Sequence, residues 1–350
     1  MDVFSPSIDT LADVAARWRD ADYAPRRRAV KKTLEAPNRW TEPALTHALD
    51  RWMERLTPEG LRAWLGDATV GPTMRVGILH GEEEPLSGLH DALAVWALGF
   101  DSVCAVPDSS PALLPAFAEE IQSRSSEIDI AFDSFENTLR RADAIIAAPA
   151  VPLEDVASAC AAQEVGPDRR LLRSRGVSVG VVDGHESDDE MERLAEDMLL
   201  YEGHGHRRLA VLWAPADHSP DAYLQAMARF RGLFPAHEDT PGTLQMQQAF
   251  LEARDVPHAY ADGLEFLVSR GEPEVQKAGH VRWAEYESLD EVGRWWASRQ
   301  DEVHAVIARR HLHDQCPEEW PLRTPGGVHV PLLDGEDGRS VVQFLSALGA

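Results

Sequence analysis

The chain has 350 residues, of which 44% are hydrophobic, so it can bury a large core and is long enough for two domains. Its 59 acidic residues outnumber the 34 basic ones, and the net charge of −25 disfavours nucleic acid and anionic membrane surfaces as partners. No stretch approaches the roughly 18 uninterrupted apolar residues of a transmembrane helix, and residues 1–11 lack the basic and apolar regions of a secretory signal.

The three cysteines, Cys104, Cys160 and Cys316, are odd in number and far apart in the sequence. This spacing matches neither a disulfide framework nor a zinc motif, so we expect a reduced, cytoplasmic protein without a structural metal. Cys104 lies in a predicted apolar strand and Cys160 on a predicted helix, where a cysteine is most often a small core residue.

Lysine is nearly absent, because Lys31, Lys32 and Lys277 are the only lysines and every other basic side chain is arginine. A GC-rich genome that favours arginine codons would produce this bias. A salt-rich cytoplasm, as in a halophile, would explain it together with the acidic excess, since salt screens the self-repulsion of an acidic surface. Composition alone leaves both explanations open.

The first half of the chain predicts a helical lead-in followed by alternating strands and helices. Residues 9–65 carry the helical spacing of apolar residues, and Pro72 marks a boundary. A helix is predicted from Leu86 to its end at Gly99. The strands, each a compact apolar run, are predicted at residues 75–80, 103–106 and 144–147. Strands that alternate with helices indicate a parallel, doubly wound sheet.

A second α/β region follows. The strand Val177–Val182 leads to a predicted capping box of Ser187 and Glu190 at the start of an amphipathic helix. Gly203 and Gly205 then allow a tight turn or a positive φ before the next strand. Further strands are predicted at residues 209–213, 264–268 and 303–308, with a helix at residues 289–298.

These elements predict an α/β protein made of four segments. We expect a helical lead-in at 1–70, a Rossmann-like domain at 71–175, a catalytic-type α/β domain at 176–315 and a tail at 316–350. The tail is expected to return to the first domain or to a partner subunit. No internal repeat interrupts this order.

Five short runs stand in an order and at spacings that match one known family. They lie at residues 81–91, 182–187, 201–207, 315–320 and 334–345. Gly81–Asp91 resembles the family's Gly-Asn-Ile-Pro-Leu-x-Gly-x-His-Asp, Val182–Ser187 its Leu-Asp-Gly-x-Glu-Ser, and Tyr201–Arg207 its Tyr-Phe-Gly-Leu-Gly-Cys-Arg. From about residue 70 onward the chain thus resembles the acyl-CoA reductases that feed bacterial luciferase, a divergent branch of the aldehyde dehydrogenase superfamily.

The resemblance implies an aldehyde-dehydrogenase-like fold, with a Rossmann-type parallel sheet domain and a second α/β domain of the catalytic type. It also implies NADPH-dependent reduction of an acyl-CoA, or a related acyl thioester, to an aldehyde. In that reaction a thiolate attacks the carbonyl, an acyl-enzyme forms, and hydride from the nicotinamide releases the aldehyde. An acyl-CoA or an acyl-transfer protein is the implied partner. Because such relatives form dimers, the resemblance also implies a possible homo-oligomer.

The catalytic positions of the family differ in this chain. His206 stands at the position of the nucleophilic cysteine. Glu83, or Glu82 if the alignment shifts by one residue, stands at the position of an asparagine that can donate to the oxyanion. A carboxylate there would repel the oxyanion rather than stabilise it. We therefore predict that the reduction is lost or strongly altered.

The cofactor positions differ as well. Ala105 stands where the family has the lysine that meets the ribose or phosphate of the cofactor. Pro149 and Ala150 replace a Gly-Ser pair that lets the backbone approach the dinucleotide, and proline both removes an N–H group and adds bulk. The resemblance implies NADPH as the cofactor, and these replacements predict that its binding is weak or absent.

Other roles are open for the same residues. His206 could act as a nucleophile or general base, because imidazole can form a transient acyl adduct. A metal site is another alternative, with ligands drawn from His204, His206, His185, Glu186 and His80. Asp183 and Glu186 match family positions, but their place at the entry of a helix explains them without catalysis.

Two functions from different classes therefore compete. The chain is either an acyl-CoA reductase relative that still processes an acyl thioester with altered machinery, or a non-catalytic binding or assembly subunit for acyl-transfer partners. Binding of NADPH together with acyl-enzyme formation would support the first function. The absence of both, with co-purification of a partner, would support the second.

Overall fold

A computed structural model describes residues 5–66, 68, 74–81, 84–105, 112–125, 128–148, 151–173, 176–205, 207–329, 333 and 341–349. The chain divides into two compact units. The first comprises Met1–Asn38, Leu45–Ser174 and Pro331–Ala350, and the second comprises Arg39–Ala44 and Arg175–Val330.

Helices precede and then alternate with strands up to residue 173. The helices are α1 (Ser5–Trp18), α2 (Ala24–Glu35), α3 (Glu42–Arg55), α4 (Pro58–Leu65), α5 (Leu89–Ala97), α6 (Leu113–Gln122), α7 (Phe135–Arg141) and α8 (Leu153–Ala162). The strands are β1 (Arg75–His80), β2 (Asp101–Ala105), β3 (Ile130–Asp133), β4 (Ala144–Ala148) and β5 (Arg170–Leu172).

Within the described residues, these strands form one parallel sheet in the order β3-β2-β1-β4-β5. The central strand β1 buries consecutive residues, including Val76, Ile78 and Leu79, on both faces of the sheet. A strand of this kind has a continuous apolar sequence, which is why the sequence predicts its bounds correctly. The order turns back between β1 and β4, so the carboxyl ends of these two strands form the switch point of the sheet.

The second half of the chain contains the remaining elements. The strands are β6 (Val177–Val181), β7 (Leu209–Pro215), β8 (His258–Tyr260), β9 (Leu267–Arg270), β10 (His280–Tyr286), β11 (Val303–Ala308) and β12 (Leu322–Arg323). The helices are α9 (Asp188–Leu199), α10 (Asp221–Leu233), α11 (Thr240–Ala253), α12 (Leu289–Ala297), α13 (Arg310–His313) and α14 (Val341–Leu348).

Over the described ranges of the second unit, seven strands form a sheet in the order β12-β11-β6-β7-β10-β9-β8. Neighbouring strands are parallel except for the edge strand β8, which is antiparallel to β9. The core against α12 combines valines of the sheet with the buried Trp213 and Trp320. Because the central strands run the same way, the loops after β6, β7, β10 and β11 all leave from one edge.

The start of α9 confirms the predicted capping box. The hydroxyl of Ser187 accepts from the backbone N–H of Glu190 at 3.3 Å, and the Glu190 carboxylate accepts from the Ser187 N–H at 2.8 Å. Two N–H groups that the helix cannot satisfy internally therefore have acceptors. The cap fixes the direction in which the chain leaves the edge of the sheet after β6.

The structure corrects the sequence prediction in three places. The strand expected at residues 264–268 is β9, which begins at Leu267, because Leu264 has φ of +55° and lies in a turn. The strand expected at 103–106 begins at Asp101 and ends at Ala105, and Val106 lies outside the described residues. The elements that the sequence analysis did not predict include β3, α7, β5, α10, α11, β8, β10, α13 and β12.

The predicted class of a Rossmann-type parallel sheet followed by a second α/β unit is confirmed. In the part of the chain that the structure describes, no helix combines the length and apolar character needed to cross a membrane.

Gly77 lies in β1, where an added methyl group would stand 2.6 Å from Cδ1 of Ile145 and 2.8 Å from Cβ of Ala142. We expect Gly77→Ala to lower the free energy of unfolding by about 1–3 kcal/mol, because over-packing forces neighbouring groups apart. The matched control is Gly232→Ala in α10, where nothing lies within 4 Å of the added atom. This control should be stabilised by about 0.5–1 kcal/mol. Urea unfolding measures both, and an unchanged Gly77→Ala protein would contradict the packing.

Candidate functional site

The turn that precedes β7 has an unusual backbone. Tyr201, Glu202 and Gly203 have φ values of +57°, +58° and +63°, so three consecutive residues are left-handed. A side chain at Gly203 would also meet the backbone nitrogen of Gly279 at 2.8 Å. Two non-glycine residues in this region store strain, which the surrounding structure must outweigh. His206, the expected nucleophile position, follows this turn but lies outside the described residues.

A buried ion pair holds the turn. The carboxylate of Glu202 accepts from both terminal nitrogens of Arg231, at 3.2 and 3.3 Å, and from the hydroxyl of Thr240 at 2.6 Å. The side chains of Glu202 and Arg231 are only 6% and 2% exposed. Because each charge is matched and hydrogen-bonded, the left-handed conformation of Glu202 has a strong tertiary anchor.

His204 lies in the same turn and is half-buried. Nη1 of Arg39 donates to its Nδ1 at 3.4 Å, which requires a ring nitrogen without a proton. Burial, together with the positive charges of Arg39 and Arg208, lowers the pKa of His204 to about 4. A cavity of about 40 Å³ adjoins it, lined by Arg39, Glu202, His204, His237, Asp239, Thr240, Thr243 and Ala278. His204 is therefore a neutral imidazole at neutral pH.

The last turn of α9 leads into this region and carries a buried carboxyl. Asp197 accepts from the backbone N–H groups of Gly326 at 2.8 Å and of Val328 at 3.3 Å. Burial raises the pKa of Asp197 to about 8, although these two N–H groups act in the opposite direction. Tyr201 packs edge-on against Trp40 and His329, at centroid distances of 5.9 and 5.3 Å. Hydrogen bonds to Asp197 and ring contacts to Tyr201 thus hold the residues around the turn in place.

Asp183 and Glu186 lie at the opposite edge of the same sheet, after the carboxyl end of β6. The Glu186 carboxylate accepts from the backbone N–H groups of Asp183 and Gly184, at 3.0 and 3.1 Å, and from the hydroxyl of Tyr223. Nη2 of Arg309 pairs with Asp183 at 2.7 Å. These bonds support the interpretation that both acids hold the turn through which the chain enters α9, rather than taking part in catalysis.

The structure does not bring His204 together with His185 or Glu186, as one form of the metal alternative requires. β6 and β7 are parallel, His204 precedes β7, and His185 with Glu186 follows β6, so roughly 16 Å of strand separates them. Among the described residues, no group of three or more His, Cys, Asp or Glu side chains is arranged to hold a metal ion.

The first unit places a buried charge cluster at the switch point of its sheet. Asp91, in the first turn of α5, is fully buried and accepts from His80 at 2.6 Å, from His90 at 3.3 Å, and from Arg173. Burial alone would raise the pKa of Asp91, but Arg173 and the two histidines hold it well below its usual range. His90 also contacts the carbonyl of Leu333 at 3.2 Å. The guanidinium and imidazoles near this end of β1 are therefore engaged by one carboxylate.

The other predicted site residues are placed only in part. Ala105 is the last residue of β2 and is half-buried, at the same edge as the Asp91 cluster. Glu83, Glu82, Pro149 and Ala150 lie outside the described residues.

All three cysteines are shielded. Burial raises the pKa of Cys104, in β2, to about 12. Burial also raises the pKa of Cys160, in α8, and of Cys316, which is half-buried. A thiol becomes nucleophilic by forming a thiolate, and these surroundings oppose that step.

Sequence reasoning missed several of these groups. Arg231 and Thr240 have no motif and lie 29 and 38 residues from Glu202. Asp197 follows the helical pattern of α9 and gives no sign of being buried with two backbone donors. Asp91 was noted only as the last residue of a family motif, and its burial between His80, His90 and Arg173 depends on residues up to 82 positions away.

No protein-family model and no curated protein matches the chain. Solved structures do match, and three of them are aldehyde dehydrogenases. Methylmalonate-semialdehyde dehydrogenase from Oceanimonas doudoroffii has a TM-score of 0.70 and 14% identity, over 97% of this chain and 85% of that one. Aldehyde dehydrogenase 21 from Physcomitrella patens has a TM-score of 0.71 and 13% identity, over 99% and 84%.

A third match is the indole-3-acetaldehyde dehydrogenase AldA of P. syringae, in complex with NAD⁺, with a TM-score of 0.63 and 12% identity over 90% of this chain and 73% of that one. At such identities the similarity establishes the fold alone. The chain has the aldehyde dehydrogenase fold, as the sequence predicts.

The titration of His204 predicts a pH dependence of stability. Its pKa is about 4 in the folded protein against a usual value of 6.5, so below pH 6.5 the unfolded chain takes up the proton first. The contribution of the neutral His204 to the free energy of unfolding is fully present above pH 6.5. It is lost as the pH falls from 6.5 through about 4. We expect His204→Gln to flatten this loss, measured by urea unfolding at several pH values. The exposed His311→Gln is the control, and parallel profiles for all three proteins would contradict the assignment.

Proposed function

We propose that this chain belongs to the acyl-CoA reductase branch of the aldehyde dehydrogenase superfamily, and that it has lost thiolate-dependent reduction. In this proposal it serves as a non-catalytic binding or assembly subunit for acyl-transfer partners. The fold and the motif at Tyr201–Arg207 support the ancestry. The absence of an activated thiol in the described structure supports the loss.

The shielding of the cysteines is the observation that carries the proposal. An acyl-enzyme of this family forms on a thiolate, and burial raises the pKa of Cys104, Cys160 and Cys316. None of them lies in the turn before β7, because the residue at the family's cysteine position is His206. A thiol elsewhere on the fold would have to acquire both access and a lower pKa to replace it.

The surroundings of the dinucleotide position also support the proposal. Pyrophosphate needs N–H donors and cations at the end of the first strand of a Rossmann-type unit. The described nitrogen donors near this position, on His80, His90 and Arg173, already contact Asp91. Ala105 offers no cation at the end of β2. These residues do not fit a dinucleotide, so we assign no step to one.

A second candidate is a relative that still processes acyl thioesters through His206. The three consecutive left-handed residues favour it, because strain of this kind often persists where a turn presents a reactive group. His206 would attack the carbonyl and form an acyl-imidazole, which water hydrolyses quickly. The two candidates differ in turnover, since only the second would release free acid from an acyl thioester.

Acyl transfer separates these candidates. We expect no mass shift when the purified protein is incubated with acyl-CoA of several chain lengths, and no aldehyde when NADPH is added, because no thiolate is available. Release of free CoA above the buffer rate would contradict the first candidate and support the second. A stable adduct on Cys104, Cys160 or Cys316 would show that the nucleophile is elsewhere.

Variants that restore the family's residues at positions 206 and 83 provide a matched comparison with the unmodified protein. His206→Cys should regain slow acylation, and the added Glu83→Asn should increase its rate by about 10²–10³, the usual effect of one oxyanion donor. Glu83→Asn alone keeps the histidine and serves as the control, for which no adduct is expected. Acylation of that control at the rate of the double variant would contradict the assigned positions.

Dinucleotide affinity is the second test. We expect calorimetric titration with NADPH and with NADH to show no binding tighter than about the millimolar range, because the described guanidinium near the end of β1, on Arg173, already contacts Asp91 and Ala105 supplies no cation at the end of β2. Ala105→Lys should strengthen NADPH binding if position 105 meets the cofactor as it does in the family. A low-micromolar dissociation constant for the unmodified protein would mean that other residues form the pocket.

A further inference from the structure

The second unit contains a cleft at the edge of its sheet opposite the turn before β7. Its volume is about 550 Å³, which is within the range of small-molecule sites. It lies over the carboxyl-terminal halves of three adjacent parallel strands, β7, β10 and β9. Ligands of parallel α/β sheets bind at this end of the strands.

The floor of the cleft is a pair of register partners, Trp213 of β7 and Ala284 of β10. Alanine is small, so the space above Ala284 is not filled by its own side chain. Trp295 of α12 forms a wall, with its ring edge-on to Trp213 at a centroid distance of 5.8 Å. Its indole N–H donates to the carbonyl of Pro273 at 3.0 Å, which ties α12 to the segment after β9. The aromatic part of the cleft is thus fixed before any ligand enters.

Charged groups of both signs surround these indoles. Arg270 and Glu285 pair with each other at 3.4 Å. Arg294 lies on the exposed side of α12, and the described residues offer it no ion pair. Glu272 is exposed on the segment after β9, and Glu291 accepts from the backbone N–H of Glu287 at 3.2 Å. With the Arg270–Glu285 pair neutralised, one guanidinium and two carboxylates remain for a ligand.

The floor also holds an unused hydrogen-bond donor. Trp213 is only 5% exposed, and its indole N–H has no acceptor among the described residues. A buried donor without an acceptor is uncommon and costly in a finished core.

We propose that this cleft binds a small zwitterion, an organic ammonium that also carries a carboxylate. The guanidinium of Arg294 receives the carboxylate, and the ammonium lies against the indole of Trp295 near the carboxylates of Glu272 and Glu291. Indole attracts cations through its π face, as the guanidinium of Arg299, 5.1 Å from the Trp295 ring, already does. This site is independent of the acyl-thioester function proposed above.

Other ligand classes fit the lining less well. A plain anion would meet two unmatched carboxylates, and a plain cation would leave the charge of Arg294 unmatched. A large apolar ligand would remove charged groups from water without pairing them, which is unfavourable. A zwitterion satisfies both signs with one molecule.

The test uses three molecules of nearly equal shape and different charge. They are 4-(trimethylammonio)butanoate, the cation butyltrimethylammonium and the anion 5,5-dimethylhexanoate, each titrated into the full chain by calorimetry. We expect saturable binding of the zwitterion and an affinity at least about tenfold weaker for the other two, because each lacks one charge-assisted contact. No saturable binding of the zwitterion, or equal binding of a single-charge analogue, would overturn the proposal.

Variants locate the site. Arg294→Gln and Glu272→Gln, both at exposed positions, should each weaken zwitterion binding by about tenfold. Arg294→Gln should not weaken the binding of the cation analogue, and Glu272→Gln should not weaken that of the anion analogue, because each change removes a like charge. The matched controls are Arg310→Gln and Glu318→Gln, which change the same charges at exposed positions outside the cleft. Zwitterion affinity that falls equally in the controls, or in none of the four variants, would place binding elsewhere and contradict the assignment.

Discussion

The left-handed turn before β7 depends on one interaction, the buried contact between Glu202 and Arg231. Its geometry is bidentate, and Thr240 supplies a third donor to the same carboxylate. Loss of one partner from a buried pair typically costs about 3–5 kcal/mol, because the other charge is left without compensation. That energy exceeds the strain of a left-handed residue, about 1–3 kcal/mol, so the pair can hold Glu202 in this conformation.

A carboxylate paired with an arginine recurs at two further acids of the described structure. Asp91 contacts Arg173, and Asp183 contacts Arg309, so in each case a carboxylate near a strand or helix end meets a guanidinium. Arginine suits this role because its planar fork offers several fixed donors and is weakly hydrated. In a chain with only three lysines, the bias towards arginine therefore has a structural use within the fold. Asp197 differs, since its two donors are backbone N–H groups and its pKa rises to about 8.

The sequence predicted those elements that can be recognised from a short run of consecutive residues alone. β1 and β6 are continuous apolar runs, and Ser187 with Glu190 is a complete cap within four residues. β10 was missed because Arg282 and His280 interrupt its apolar pattern, although His280 is buried and contacts Ser269 at 2.7 Å and Gln247 at 2.9 Å. The turn before β7 was predicted from its glycines. Its anchor was not, because Arg231 acts across 29 residues of intervening chain and no local pattern encodes that contact.

Gly203 has a consequence for the history of such chains. Its left-handed φ and the nearby backbone nitrogen of Gly279 both disfavour a side chain at this position. The fold therefore requires this glycine whether or not the residues after it take part in a reaction. A substitution at position 206 therefore leaves the requirement for Gly203 unchanged, so the backbone of this turn can persist in chains that differ at that position. Chains that share the turn can be sought by its backbone geometry rather than by the identity of residue 206.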